Sequence, residues 1–230
     1  DAAAFARRYG PWAVVVGASE GLGAAFATEL ASRGLHVMLV ARRAAPLEQL
    51  AQQLHARFGV QVEHLAVDLG SDDGVSRIAV AAEGREVGLV VANAAFVPIG
   101  KVAEVTPDDL DQAVAVNCRG TLRLARTFLP AMAGRGRGGM VIMASLAGLQ
   151  GSPKLTTYAA TKAFDLVLAE GLWHEFGEHG VHVVGCAAGA IADPNLARVK
   201  EKRAPGTLSP EAVVTAALGG LGRGPRVVPG

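Results

Sequence analysis

The chain has 230 residues, half of them hydrophobic, and a formal net charge of +1. That length holds one large α/β domain or two small ones, and the balanced charge excludes a whole-molecule field for nucleic acid or an acidic membrane. Two cysteines, Cys118 and Cys186, exclude a disulfide scaffold and read as core thiols. The predicted elements then alternate along the chain. Apolar, Val-rich runs at 12–16, 36–40, 62–67, 89–93, 140–145, 181–186 and 226–228 read as strands. Several are apolar throughout, as strands buried on both faces are. Helical spacing fills 24–32, 46–58, 108–132 and 156–176. This order predicts an α/β fold, a parallel sheet with helices on both faces and right-handed crossovers.

The whole of 1–230 reads as one domain. No apolar run approaches the roughly 20 residues of a membrane helix. The start, residues 1–9, lacks the basic and apolar stretches of a signal peptide. A soluble cytoplasmic protein is therefore expected. The hexapeptide 134–139, Gly-Arg-Gly-Arg-Gly-Gly, resembles an RNA-binding RGG segment, but its place between helix and strand reads as a loop. Residues 190–209 are polar, with Pro194, Pro205 and Gly206, and are expected to form a substrate lid.

The first strand runs straight into Gly17-Ala18-Ser19-Glu20-Gly21-Leu22-Gly23, and a helix follows. Such glycines allow a tight turn, close approach to a pyrophosphate, and close helix–sheet packing. The helix start offers free N–H groups and a positive dipole end to phosphate. The Lys-Ser/Thr of a phosphoryl-transfer loop is absent. After the second strand, dinucleotide sites that prefer NAD place an acid against the ribose 2′-hydroxyl. Here Arg42 and Arg43 stand there instead. Guanidinium groups bind phosphate through forked, charge-assisted bonds, which favours NADP(H) and leaves NAD(H) second. Glu20 pulls the other way, since a carboxylate repels a 2′-phosphate.

Tyr158 and Lys162 lie four apart in a helix and share a face. A free phenol titrates near ~10; a neighbouring cation favours the phenolate and lowers that value. The pair can then exchange a proton with a substrate oxygen. Ser145, at the end of the fifth strand, stands where ligands bind in open α/β sheets.

These residues together resemble the short-chain dehydrogenase/reductase family, over nearly the whole chain. The glycine turn is similar to the family's Thr-Gly-x-x-x-Gly-x-Gly, with Val16 where Thr is usual. Val67-Asp68 resembles its adenine-contacting Asp, and Ala92-Asn93-Ala94-Ala95 its Asn-Asn-Ala-Gly. The resemblance implies a Rossmann-like doubly wound sheet of about seven strands and a catalytic tetrad of Asn117, Ser145, Tyr158 and Lys162. Tyr158 would be the acid/base, and Lys162 would also hold the nicotinamide ribose. Asn117 would hold a water in the proton relay. The implied cofactor set is Gly17, Ser19, Gly21, Leu22, Gly23, Arg42, Arg43, Asp68, Leu69, Asn93, Ala94, Tyr158, Lys162, Gly189 and Ile191. Two departures follow the sixth strand: Ala188-Gly189 replaces Pro-Gly, and Asp193 stands where a Thr is usual.

The activity so implied is an NADP(H)-dependent interconversion of a hydrophobic ketone or 3-oxoacyl group with a secondary alcohol. Phe96, Leu146, Gln150 and Leu155 are expected pocket walls. The other readings are a non-catalytic nucleotide sensor on the same fold, and an isomerase or dehydratase, which usually needs a larger substrate domain. His174 and His179 are five apart, so they diverge around a helix and argue against a metal site. Arg198, Lys200, Lys202 and Arg203 read as a solvated face. The segment 158–176 is apolar on nearly all sides, which predicts a homodimer or homotetramer packed through it.

Overall fold

Seven Val- and Met-rich segments form the strands β1 (Trp12–Val16), β2 (His36–Ala41), β3 (Val62–Ala66), β4 (Val87–Ala92), β5 (Gly138–Met143), β6 (Val181–Cys186) and β7 (Arg226–Val227). The computed structural model describes residues 2–192 and 206–230. All strands pair in parallel, in the order β3-β2-β1-β4-β5-β6-β7. The chain moves outward from β1 in one direction, then crosses to β4 and moves outward in the other. The carboxyl ends of β1 and β4 therefore flank the reversal point, where such sheets bind ligands.

Successive side chains of each strand enter different cores, as the two-residue pleat requires. Val15, Leu39, Val91 and Val141 face one layer, packed by α2 (Gly21–Ser32), α3 (Ala44–Phe58) and α8 (Pro210–Gly220). Val14, Val16, Val90 and Met140 face the other, packed by α4 (Gly74–Ala81), α6 (Thr121–Arg135) and α7 (Thr156–Gly177). A strand buried on both faces has no polar alternation, which is why these segments read as continuous apolar runs.

Local structure departs from expectation in three respects. The predicted helix 108–132 is three pieces: α5 (Pro107–Val114), a π-turn (Ala115–Gly120), and α6. Helices α1 (Ala2–Tyr9), α4 and α8 were not anticipated. The glycine-arginine patch is mostly structured, since α6 runs to Arg135, Gly136 caps it in the left-handed region, and β5 starts at Gly138. Most of the expected lid, with Asp193 and the basic residues 198–203, lies outside the described residues.

Candidate active site

The glycine turn joins β1 to α2 at the reversal point. Gly17 has φ +89°, and a Cβ there would lie 2.6 Å from the Ala94 nitrogen. Its own N–H donates to Val40 O at 2.7 Å, tying the turn to β2. Gly23 is tighter still: a Cβ would fall 1.8 Å from the Gly17 carbonyl oxygen. No residue larger than glycine fits either place unless the backbone moves. Asn93 locks the same turn from β4, its side-chain amide donating to Gly17 O at 3.0 Å and its backbone N–H to Val16 O.

Above this turn opens a cleft of about 390 Å³. Of the sequence-derived cofactor residues, Gly17, Ser19, Arg42, Arg43, Asp68, Leu69, Asn93 and Ala94 line it. Val116 of the π-turn and Phe96 line it too, as does Glu20, and only Phe96 was assigned a wall position from sequence. Glu20 does not act alone: Arg43 pairs with it at 2.9 Å. Arg42 is exposed, with no ion-pair partner among the described residues. Asp68 is engaged locally, accepting from the Gly70 N–H at 2.8 Å and from the Gln112 amide. The backbone cradle at Gly17 and Gly23 and the free Arg42 suit an extended, phosphate-bearing ligand. Gly189 and Ile191 stand apart from this cleft, on the stretch after β6. Ile191 bridges to Leu208, and Leu146 is the nearest neighbour of the Gly189 α-carbon's open side.

The remaining chemistry gathers at the end of β5. Ser145 caps a single 3-10 turn (Leu146–Leu149), its Oγ accepting from the Ala147 N–H at 3.1 Å. The hydroxyl proton is left to donate. The turn is pinned across the sheet, because Leu146 N donates to Ala188 O at 2.9 Å. Lys162, from the second turn of α7, reaches back under it. Its Nζ donates to Met143 O at 2.6 Å and to Asp165 Oδ2 at 3.0 Å. The same ammonium lies 5.8 Å from the centre of the Tyr158 ring. Lys162 is thus held at the end of β5, with the Tyr158 ring beside it.

Asn117 occupies the π-turn and is fully buried. A π-turn inside a helix widens the backbone by one residue, and such turns recur at functional sites. Its carboxamide accepts from Phe96 N at 2.8 Å and donates to Phe96 O and to Thr161 Oγ1, both at 2.9 Å. Both amide hydrogens are therefore committed. The side chain clamps the loop after β4 to α7, one residue before Lys162. Asp165 and Met143 beside Lys162, and Thr161 beside Asn117, are neighbours that sequence reasoning missed. Asp165 lies within the segment read as apolar on nearly all sides.

Comparison with known proteins agrees with this geometry. A family model described as short chain dehydrogenase matches residues 11–204. The chain is 32% identical over 222 residues to the 7beta-hydroxysteroid dehydrogenase of Clostridium sardiniense, covering 95% of this chain and 85% of that one. It is 34% identical over 230 residues to the very-long-chain 3-oxoacyl-CoA reductase of Aspergillus clavatus, covering 94% of this chain and 64% of that one. A solved short-chain dehydrogenase from Sphingobium yanoikuyae, in complex with NADPH, superposes with a TM-score of 0.86 at 29% identity, covering 95% of this chain and 87% of that one. The glycine turn, the Tyr158–Lys162 helix and these matches lead to one conclusion: the chain belongs to the short-chain dehydrogenase family and is an oxidoreductase acting on CH–OH or C=O groups.

Proposed function

We propose that the protein is an NADP(H)-dependent reductase of a hydrophobic ketone or 3-oxoacyl group, or the corresponding alcohol dehydrogenase in reverse. One observation carries the reading: a sealed Lys162 ammonium, anchored to the end of β5, stands beside the Tyr158 ring. When bound, the nicotinamide supplies or takes up the hydride. The chain supplies the rest. Tyr158 gives its phenolic proton to the substrate oxygen in reduction and takes it back in oxidation. Ser145 donates a hydrogen bond to the same oxygen. Lys162 places its ammonium 5.8 Å from the centre of the phenol ring.

The cofactor preference rests on Arg42 and Arg43 at the end of β2, where no acid stands. The pairing of Arg43 with Glu20 offsets the carboxylate that would otherwise repel a 2′-phosphate. The substrate class rests on exposed apolar side chains around the cleft end of the sheet. Val97, Ile99 and Val102 follow β4; Leu146 and Leu149 follow β5. Gly100 N donates to Lys154 O at 2.9 Å, which holds the first loop against the second. Assembly rests on α7, where Ala160, Phe164, Val167 and Gly171 form an exposed stripe at helical spacing. Val167 is 71% exposed. Small residues at both ends of that stripe let a second copy of the helix approach closely, in a two-fold contact.

The test is nucleotide oxidation by a panel of bulky ketones, steroid ketones and 3-oxoacyl thioesters among them, with NADPH and NADH in parallel. Turnover with NADPH on at least one apolar ketone is expected. Turnover confined to small polar aldehydes would sink the substrate reading.

A further inference from the structure

Lys162 and Asp165 stand one turn apart on α7, and their side chains are sealed from solvent, at 4% and 1% exposed. An ammonium has three N–H donors. Met143 O and Asp165 Oδ2 take two of them, leaving the third for Tyr158, the cofactor side or a water. Asp165 is itself incompletely satisfied: its Oδ1 is buried with no hydrogen-bond partner among the described residues. A half-satisfied carboxylate in the interior is costly, and a buried ion pair is often no more stabilising than a well-packed apolar pair. Packing alone therefore gives no reason for an acid at this position. The titratable groups that interact with it are Lys162 on its own helix and the Cys118 thiol of the π-turn. Burial pushes Asp165 up to about 6 while Lys162 draws it down, so it is ionised at neutral pH. Burial, and then the Asp165 charge, push Cys118 up to about 11, so the thiol is neutral there.

We propose that Asp165 is a positioning residue: it keeps the buried Lys162 ammonium charged and fixes its Nζ, and so sets the charge that acts on the Tyr158 phenol. The inference rests on the roles given above to Tyr158 and Lys162. A lysine this deeply buried, deprived of its counter-charge, releases its proton more readily. The phenol then loses the cation beside it.

Asp165→Asn keeps the shape and removes the charge. In the alcohol-oxidation direction, the limb of kcat/KM against pH that reports the phenolate should move up by about one unit, and activity at about pH 7 should fall about tenfold. A folded D165N with an unchanged pH profile overturns the proposal, since a purely structural role would cost stability and leave the profile alone. Should D165N fail to fold, the unmutated protein decides the matter. In [15N]lysine-labelled protein, the Lys162 resonance is the one lost in Lys162→Met. At about pH 7 it should be that of an ammonium. A neutral amine already at about pH 7 overturns the proposal. This second arm needs no turnover, so it reports on Lys162 and Asp165 even if Tyr158 proves not to be the acid.

Discussion

Arg43 and Glu20 meet at 2.9 Å, joining the end of β2 to the glycine turn at the lining of the same cleft. The pair is more than half exposed on both sides, so it contributes little to stability, about 0–1 kcal/mol. Its consequence is electrostatic. It ties down an acid at the expected 2′-phosphate site and leaves Arg42 without an ion-pair partner among the described residues. NADP(H) should therefore bind more tightly than NAD(H), as read by quenching of protein fluorescence. Arg42→Asp should narrow that preference at least tenfold or reverse it, while Glu20→Gln should tighten NADP(H) a few-fold. Equal affinities for both cofactors in the unmutated protein would contradict this account.

The cradle itself is testable at Gly23. A methyl group there would collide with the Gly17 carbonyl oxygen, 1.8 Å away. Gly23→Ala should cost about 1–3 kcal/mol by forced displacement and weaken either nucleotide by a comparable factor, whichever is preferred. Thermal unfolding with and without nucleotide measures both effects. An unchanged melting temperature and an unchanged affinity would show that the turn is looser than its geometry implies.

The inner strands β1, β4 and β5 were legible because burial on both faces leaves an unbroken apolar run, and each of the seven strands was found with ends shifted by no more than two residues. The glycine turn and the shared face of Tyr158 and Lys162 were legible because both depend on local spacing. Helices α5 and α8 carry readable starts. Thr106 and Ser209 cap them through their hydroxyls, each with a Pro at the next position. The π-turn was not legible, since it depends on Asn117 being held by Phe96 and Thr161 from two other segments. Asp165 was not legible either. A sequence marks a charge on a helix but not which side the sheet will seal, and here the carboxylate faces Lys162 in the interior.

Stability should carry the signature of that carboxylate. Burial raises Asp165 from 3.8 to about 6, so the folded state holds its proton more tightly than the unfolded chain. Between those values the native state binds more protons, and stability from this group falls as pH rises. The cost is absent below the unfolded value and complete above the folded one. In urea unfolding, the stability of the unmutated protein minus that of Asp165→Asn should be larger at about pH 4.5 than at about pH 7. The same difference at both pH values would contradict the assignment.

Assembly should depend on the exposed stripe of α7. Light scattering at micromolar concentration should give a multiple of 23.5 kDa. Val167→Glu places a charge at the centre of the stripe and should shift the protein toward one chain. A mass near 23.5 kDa before any substitution would defeat the pairing.

The central claim is that the Tyr158 phenol transfers the proton while the cradle holds the nucleotide. The most direct measurement pairs turnover with cofactor titration in Tyr158→Phe. Loss of a general acid costs about 10²–10⁴-fold in rate, so kcat should fall at least a hundredfold while the affinity for NADPH stays within about threefold. A variant that keeps more than about a tenth of the original kcat would contradict the account.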